Sequence, residues 1–126
     1  MNIGDTLTLE PPKISRTALA LYAGASGDHN PVHIDIDACR DVGIDDVFAH
    51  GMLSMAYLGR LLTTNFAQEQ IREYAVRFSA ITPVNAAPVC SGSVVAIKDG
   101  VVHLDIAMTL PNGTVTLRGN AVVTTS

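Results

Sequence analysis

The stretch SGDHNPVHID, residues 26–35, gathers Asp28, His29, Asn30, His33 and Asp35 around Pro31. A carboxylate and an imidazole five positions apart, at Asp28 and His33, suit one task in particular. Facing a common pocket, they could hold a single water between them and shuttle its proton. Asn30 and Pro31 would then fix the turn so that the two side chains converge. Two other readings stand beside this one. Asp28, His29, His33, Asp35 and Asp37 supply enough donors for a metal, but no HExxH or paired-cysteine spacing accompanies them. Pro31 also stiffens the turn and directs alternate residues apart, so no metal is expected. The blander reading is a capped turn, with Asp28 or Asn30 satisfying backbone N–H groups and the histidines solvated. That reading leaves unexplained why acid and base sit just ahead of the segment AHGM, residues 49–52.

AHGM opens AHGMLSMAYLGRLLTTNF, in which Met52, Leu53, Met55, Ala56, Leu58, Leu61 and Leu62 cover nearly the whole circumference of a helix. A helix that is apolar all round is expected to be enclosed. Gly51, lacking a side chain, would let a ligand approach the first turn. Free N–H groups and the helix dipole there would stabilise a developing oxyanion. Helix end and acid–base pair together would suit reversible addition of water to an α,β-unsaturated thioester, with no metal or redox cofactor. His50 is expected to pack near the helix start rather than to take a proton. Ser54, one turn further in, could reach the pocket, although buried serines more often bond back to a carbonyl. Met52 and Met55 read as core filler that could also line an adaptable acyl pocket.

The elements that must position these residues are legible in outline. DTLTLEPP alternates and stops at two prolines, which predicts a short edge strand. Ser15 is a candidate N-cap for RTALALYAGAS, whose Ala18, Leu21, Tyr22 and Ala25 recur at helical spacing, and Gly27 ends that helix. DIDACRDVG allows a further turn or two of helix. After the long apolar helix come four strand-like segments, EYAVRFSAIT, PVCSGSVVAIKDG, VVHLDIAMTLP and TVTLRGNAVVTT. Asp99–Gly100 and Asn112–Gly113 mark tight hairpins between them. No helices intervene, so the sheet is expected to be antiparallel. One enclosed helix with such a sheet curved around it is an α+β hotdog fold, read as a single domain over residues 1–126.

The chain has 126 residues, 48% hydrophobic and 16% charged, and a net charge of −4, so a packed core is expected and disorder is not. No Lys/Arg cluster occurs, which argues against nucleic-acid or anionic-membrane partners. The few charges point to apolar surface covered by a second subunit. Cys39 and Cys90 read as two reduced thiols. The N-terminal residues have no signal-peptide pattern and Met52–Leu62 is too short to span a bilayer, so a cytoplasmic location is expected.

YAGASGDHNPVHID closely resembles the hydratase-2 signature of the MaoC-like dehydratases, also called (R)-specific enoyl-CoA hydratases: an aromatic residue and a run of small residues before G-D-x-N-P-x-H. FAHGMLSM resembles the family's second block, which opens the central hotdog helix. The resemblance implies that Asp28 and His33 are the catalytic pair, Asn30 their positioner and the Gly51 N–H the oxyanion donor. It implies trans-2-enoyl-CoA or enoyl-acyl-carrier-protein substrates, (R)-3-hydroxyacyl products, no cofactor and a homodimer, with half of a heterodimer as the alternative assembly. A hotdog thioesterase is the competing enzyme class, disfavoured by the first motif.

Overall fold

In the computed structural model, which describes residues 1–125, nine backbone pairs hold two long strands together from a two-residue turn outward. Strands β3 (Val89–Lys98) and β4 (Val101–Thr109) meet at Asp99–Gly100, both with positive φ of 53° and 78°. This is the left-handed pair that a tight hairpin requires, and Asp–Gly adopts it at little cost. Strand β5 (Val115–Thr124) continues the meander past Asn112–Gly113. Strand β1 (Thr6–Leu9) pairs with β3, and β2 (Ile71–Phe78) pairs with β5. The antiparallel sheet therefore runs β1-β3-β4-β5-β2, with the first two strands in sequence at opposite edges. Register shifts within β2–β5, β3–β4 and β4–β5 help curve it.

Alternation along the strands aims one face at the long helix α3 (Gly51–Asn65). Cys90 and Val94 of β3, Val102, Leu104, Ile106 and Met108 of β4, and Leu117, Ala121 and Val123 of β5 are buried against Leu58, Leu61 and Leu62. Each of those leucines is at most 1% exposed, and full burial of such a side chain stabilises by roughly 1.5–3 kcal/mol. The sheet thus wraps a central helix in the hotdog manner.

Helix α3 is not enclosed on every side. Met52 is 60% exposed, and Ala56, Arg60 and Thr63 are exposed along the same flank, where the sequence pattern predicted burial. Apolar periodicity reports what a helix tends to cover, and cannot say which molecule covers it. Met52 faces solvent instead of filling the core, and Met55 is half-buried against the sheet cluster.

A second, smaller core lies under the polar turn: Ile14, Leu19, Cys39, Val47, Ala49 and Leu53. Helix α1 (Arg16–Ser26) contributes Leu19 and Ala23 to the interior; Ala18 and Tyr22 are half-buried. Leu21 and Ala25 point outward, so the buried stripe is rotated from the one expected. The caps are as anticipated. The Ser15 hydroxyl accepts the Ala18 N–H at 3.0 Å, and Gly27, at φ 78°, donates its N–H to the Ala23 carbonyl. Helix α2 (Ile36–Asp41) follows the turn, capped by Asp35. Cys39 and Cys90 are buried free thiols, and burial raises the Cys90 pKa to about 11. Among the described residues no helix is long and apolar enough to cross a membrane.

Candidate active site

The turn between α1 and α2 is built by its own side chains. Asp28 Oδ1 accepts the Asn30 N–H at 3.2 Å, and Asn30 Oδ1 accepts the Val32 N–H at 3.3 Å. Pro31 then starts a single 3-10 turn, Pro31–His33, that carries His33 inward. The capped-turn reading is therefore true of Asp28 and Asn30, but not of His33, which is 8% exposed. His29 is exposed and bonds nothing in the turn.

His33 Nδ1 lies 2.8 Å from the Phe48 carbonyl. A carbonyl oxygen only accepts, so Nδ1 carries a proton, and in the neutral ring the lone pair is on Nε2. His50, the residue before α3, lies against this ring at 4.0 Å between centroids and 25° between planes. Its Nε2 donates to the Asp28 backbone carbonyl at 3.1 Å, and Tyr22 of α1 packs edge-on against its ring at 4.7 Å. The remaining nitrogen, Nδ1, is buried without a partner among the described residues. Burial holds the His50 pKa below its usual 6.5, and nearby His33 adds to the effect, while the Asp28 carbonyl and carboxylate oppose it. One donor atom each from Asp28, His33 and His50 falls within 4.8 Å of the others.

That trio has the composition of a metal site, but its geometry is poor for one. Imidazole lone pairs lie in the ring planes, and stacked rings only 25° apart converge on one point less readily than rings set at a wide angle. A proton relay needs no such convergence, and a water between Asp28 and His33 fits the spacing.

Helix α3 begins beside the trio. The N–H groups of Leu53 and Ser54 both reach the His50 carbonyl, at 3.1 and 3.2 Å, and those of Gly51 and Met52, at the helix start, have no backbone acceptor among the described residues. A cavity of about 340 Å³ abuts this end, lined by Phe48, Gly51, Ser54, Phe78, Thr82 and Leu117 among others. Ser54 is 1% exposed, and its hydroxyl has no partner among the described residues instead of bonding back to a carbonyl. Asp28, His33 and His50 are not part of its wall, although His33 bonds the carbonyl of Phe48 and His50 lies in the chain between Ala49 and Gly51, which are; Met52 and Met55 are not part of it either. The structure thus brings Asp28, Asn30, His33 and His50 together, sets Gly51 at the start of the helix that follows, and leaves Met52 and Met55 outside the lining of this cavity. Tyr22 is the aromatic residue that opens the quoted signature, and its packing against His50 is a contact that the residue pattern did not predict.

A family profile described as a MaoC like domain matches residues 2–115. The chain belongs to the MaoC-like domain family. Over 116 residues, this MaoC-like chain is 36% identical to a Mycobacterium tuberculosis protein named 3-hydroxyacyl-thioester dehydratase X, aligning over 90% of its own length. The chain spans only 38% of that relative. The fold matches that of an (R)-hydratase from A. caviae involved in PHA biosynthesis, with a TM-score of 0.89 at 20% identity over 100% of this chain and 98% of the other. It also matches the ChsH1-ChsH2 complex from Mycobacterium tuberculosis, with a TM-score of 0.83 at 20% identity over 98% of each chain. At these identities the structural likenesses establish the MaoC-like fold.

Proposed function

We propose that this MaoC-like chain adds water reversibly to trans-2-enoyl thioesters of CoA or acyl carrier protein, giving (R)-3-hydroxyacyl thioesters. The observation that carries the reading is the Asp28 carboxylate within 4.8 Å of a His33 nitrogen, next to the N–H groups that open α3. In the hydration direction, a water held by Asp28 and His33 loses a proton to His33 Nε2 as its oxygen bonds C3 of the enoyl group. The C2–C3 π electrons move toward the thioester carbonyl, whose oxygen gains charge at the Gly51 N–H. The pair then returns a proton to C2, and the reverse sequence expels water. The name of the M. tuberculosis dehydratase X relative supports the thioester class.

The test is to supply purified protein with crotonyl-CoA and longer enoyl-CoAs, following loss of the enoyl absorbance and the chirality of the product. Free thiol release without hydration would identify a thioesterase instead, and an (S) product would overturn the stereochemical assignment.

Gly51→Val should reduce turnover by about 10²-fold or more, as expected on losing an oxyanion donor. A Cβ at Gly51 would stand 3.1 Å from the Phe78 ring, so the larger side chain must displace Phe78 and enter the cavity mouth. Steady-state rates on the folded variant check this; near-normal turnover would remove Gly51 from the site.

The open flank of α3 and the unpaired edge of β2, with exposed Met52 and Phe78, are features that a second subunit would cover. A homodimer is the expected assembly. The resemblance to the ChsH1-ChsH2 complex keeps pairing with a related chain as the alternative. Sedimentation at micromolar concentration should give a dimer, and a fully active 13.3 kDa monomer would contradict it.

A further inference from the structure

We infer that His50 is a positioning residue that joins the acid–base turn to the start of α3 by its Nε2–H bond to the Asp28 carbonyl and its stacking against His33. The inference rests on the hydration reading above and deepens it. A residue in the N-cap place is usually Ser, Thr, Asp or Asn, whose side chain accepts an N–H from the first turn. His50 occupies that place and makes no capping bond to its own helix. Its donor is used 22 residues back in the chain, on the backbone of Asp28 itself. Helix capping therefore does not account for a histidine here, whereas registration of Asp28 against the Gly51 N–H does.

The chemistry also assigns what His50 must not do. With Nε2–H committed to a carbonyl, its bare Nδ1 can accept a hydrogen bond but has no proton to give. A charge on His50 would lie 4.0 Å from the ring that must take the water's proton, and would oppose that step. The titratable groups that face it are Asp28 and His33 in the turn and Tyr22 from α1. A neutral His50 holds Asp28 by its main chain and His33 by its ring face, leaving His33 Nε2 as the proton acceptor.

Two variants divide these roles in the intact protein. His50→Phe keeps a ring to stack and loses the N–H; His50→Gln restores a donor. His50→Phe should lower kcat for crotonyl-CoA hydration by about 10- to 100-fold, the scale expected for a misplaced catalytic group, with KM changed only a few-fold. His50→Gln should recover most of that loss and keep the wild-type pH profile. Normal kcat in folded His50→Phe would overturn the inference. So would a His50→Gln protein as inactive as Asp28→Asn, since His50 would then transfer protons itself. If His50→Phe does not fold, the His50→Gln profile decides. Imidazole ¹⁵N NMR of the wild-type protein gives a readout that needs no substrate. His50 should remain a neutral Nε2–H tautomer as pH falls through 6.5. Protonation at or above that pH, or an Nδ1–H tautomer, would refute the positioning role even if no enoyl thioester were turned over. The expected tautomer in a protein inactive on every enoyl thioester would instead count against the hydration reading alone.

Discussion

Asp28→Asn is expected to leave a folded protein whose hydration rate has fallen by roughly 10²- to 10⁴-fold, the usual scale of general acid–base help. Asn keeps an Oδ1 that can accept the Asn30 N–H, now made at 3.2 Å, and position 28 is exposed. The turn should therefore survive, with a stability change under about 1 kcal/mol. What Asn lacks is an oxygen that can carry a proton. His33→Ala should cost a comparable factor. The double variant should lose little beyond the worse single one, because members of a coupled pair do not add. Enoyl-CoA hydration and thermal unfolding measured on one Asp28→Asn sample separate the two roles of this residue. A large fall in Tm with near-normal turnover would mean that Asp28 builds the turn and does no chemistry.

Gly119→Ala should unfold or loosen the protein far more than a one-carbon change ordinarily does. Gly119 sits in β5 opposite Val76 of β2, and a Cβ there would stand 2.0 Å from the Ala75 carbonyl oxygen. Backbone cannot yield as a flexible side chain does, so β2 must move away from β5. We expect a destabilisation upwards of about 3 kcal/mol, at or beyond the upper end for overpacking. The damage should spread to α3, because the Tyr74 hydroxyl of β2 donates to the Met55 carbonyl at 2.5 Å. Gly24→Ala, in α1 with open space around the position, is the control and should be neutral or slightly stabilising. Urea unfolding of both variants is the measurement, and equal midpoints would show that β2 and β5 are not held as closely as described.

Local signals in the sequence proved the most legible. The Ser15 cap, the Gly27 stop and the Asp99–Gly100 hairpin each depend on residues within a few positions of one another. The turn around Asp28 and His33 is local too, and the β3–β4–β5 meander followed from alternation and turn dipeptides, whereas the place of β2 beside β5 did not. What escaped were relations across the chain. His50 meets Asp28 and Tyr22 only because α3 starts under the turn, and no periodicity encodes that encounter. Met52 and Met55 looked equivalent by spacing, yet one is exposed and the other half-buried, because the sheet covers one flank of α3 and leaves the other. The rotated stripe of α1 has the same origin: with alanines on several faces, the packing of neighbours decides which is inside.

The strand order has a consequence for how the molecule assembles itself. β3, β4 and β5 are consecutive and joined by short turns, so their pairing closes only small loops. β1 must find β3 with Thr6 opposite Ser93, and β2 must find β5 with Phe78 opposite Leu117, each across a long stretch of chain. Long closures are entropically costly and slow. The meander should be the most persistent unit, with native-state hydrogen exchange slowest at the amides of Leu104 and Ile106 and faster at Leu7 of β1. The opposite ranking would contradict this. Every residue assigned to the acid–base turn and the helix start lies between the two late-docking edges, so a half-folded chain would hold a formed meander before it held a competent site.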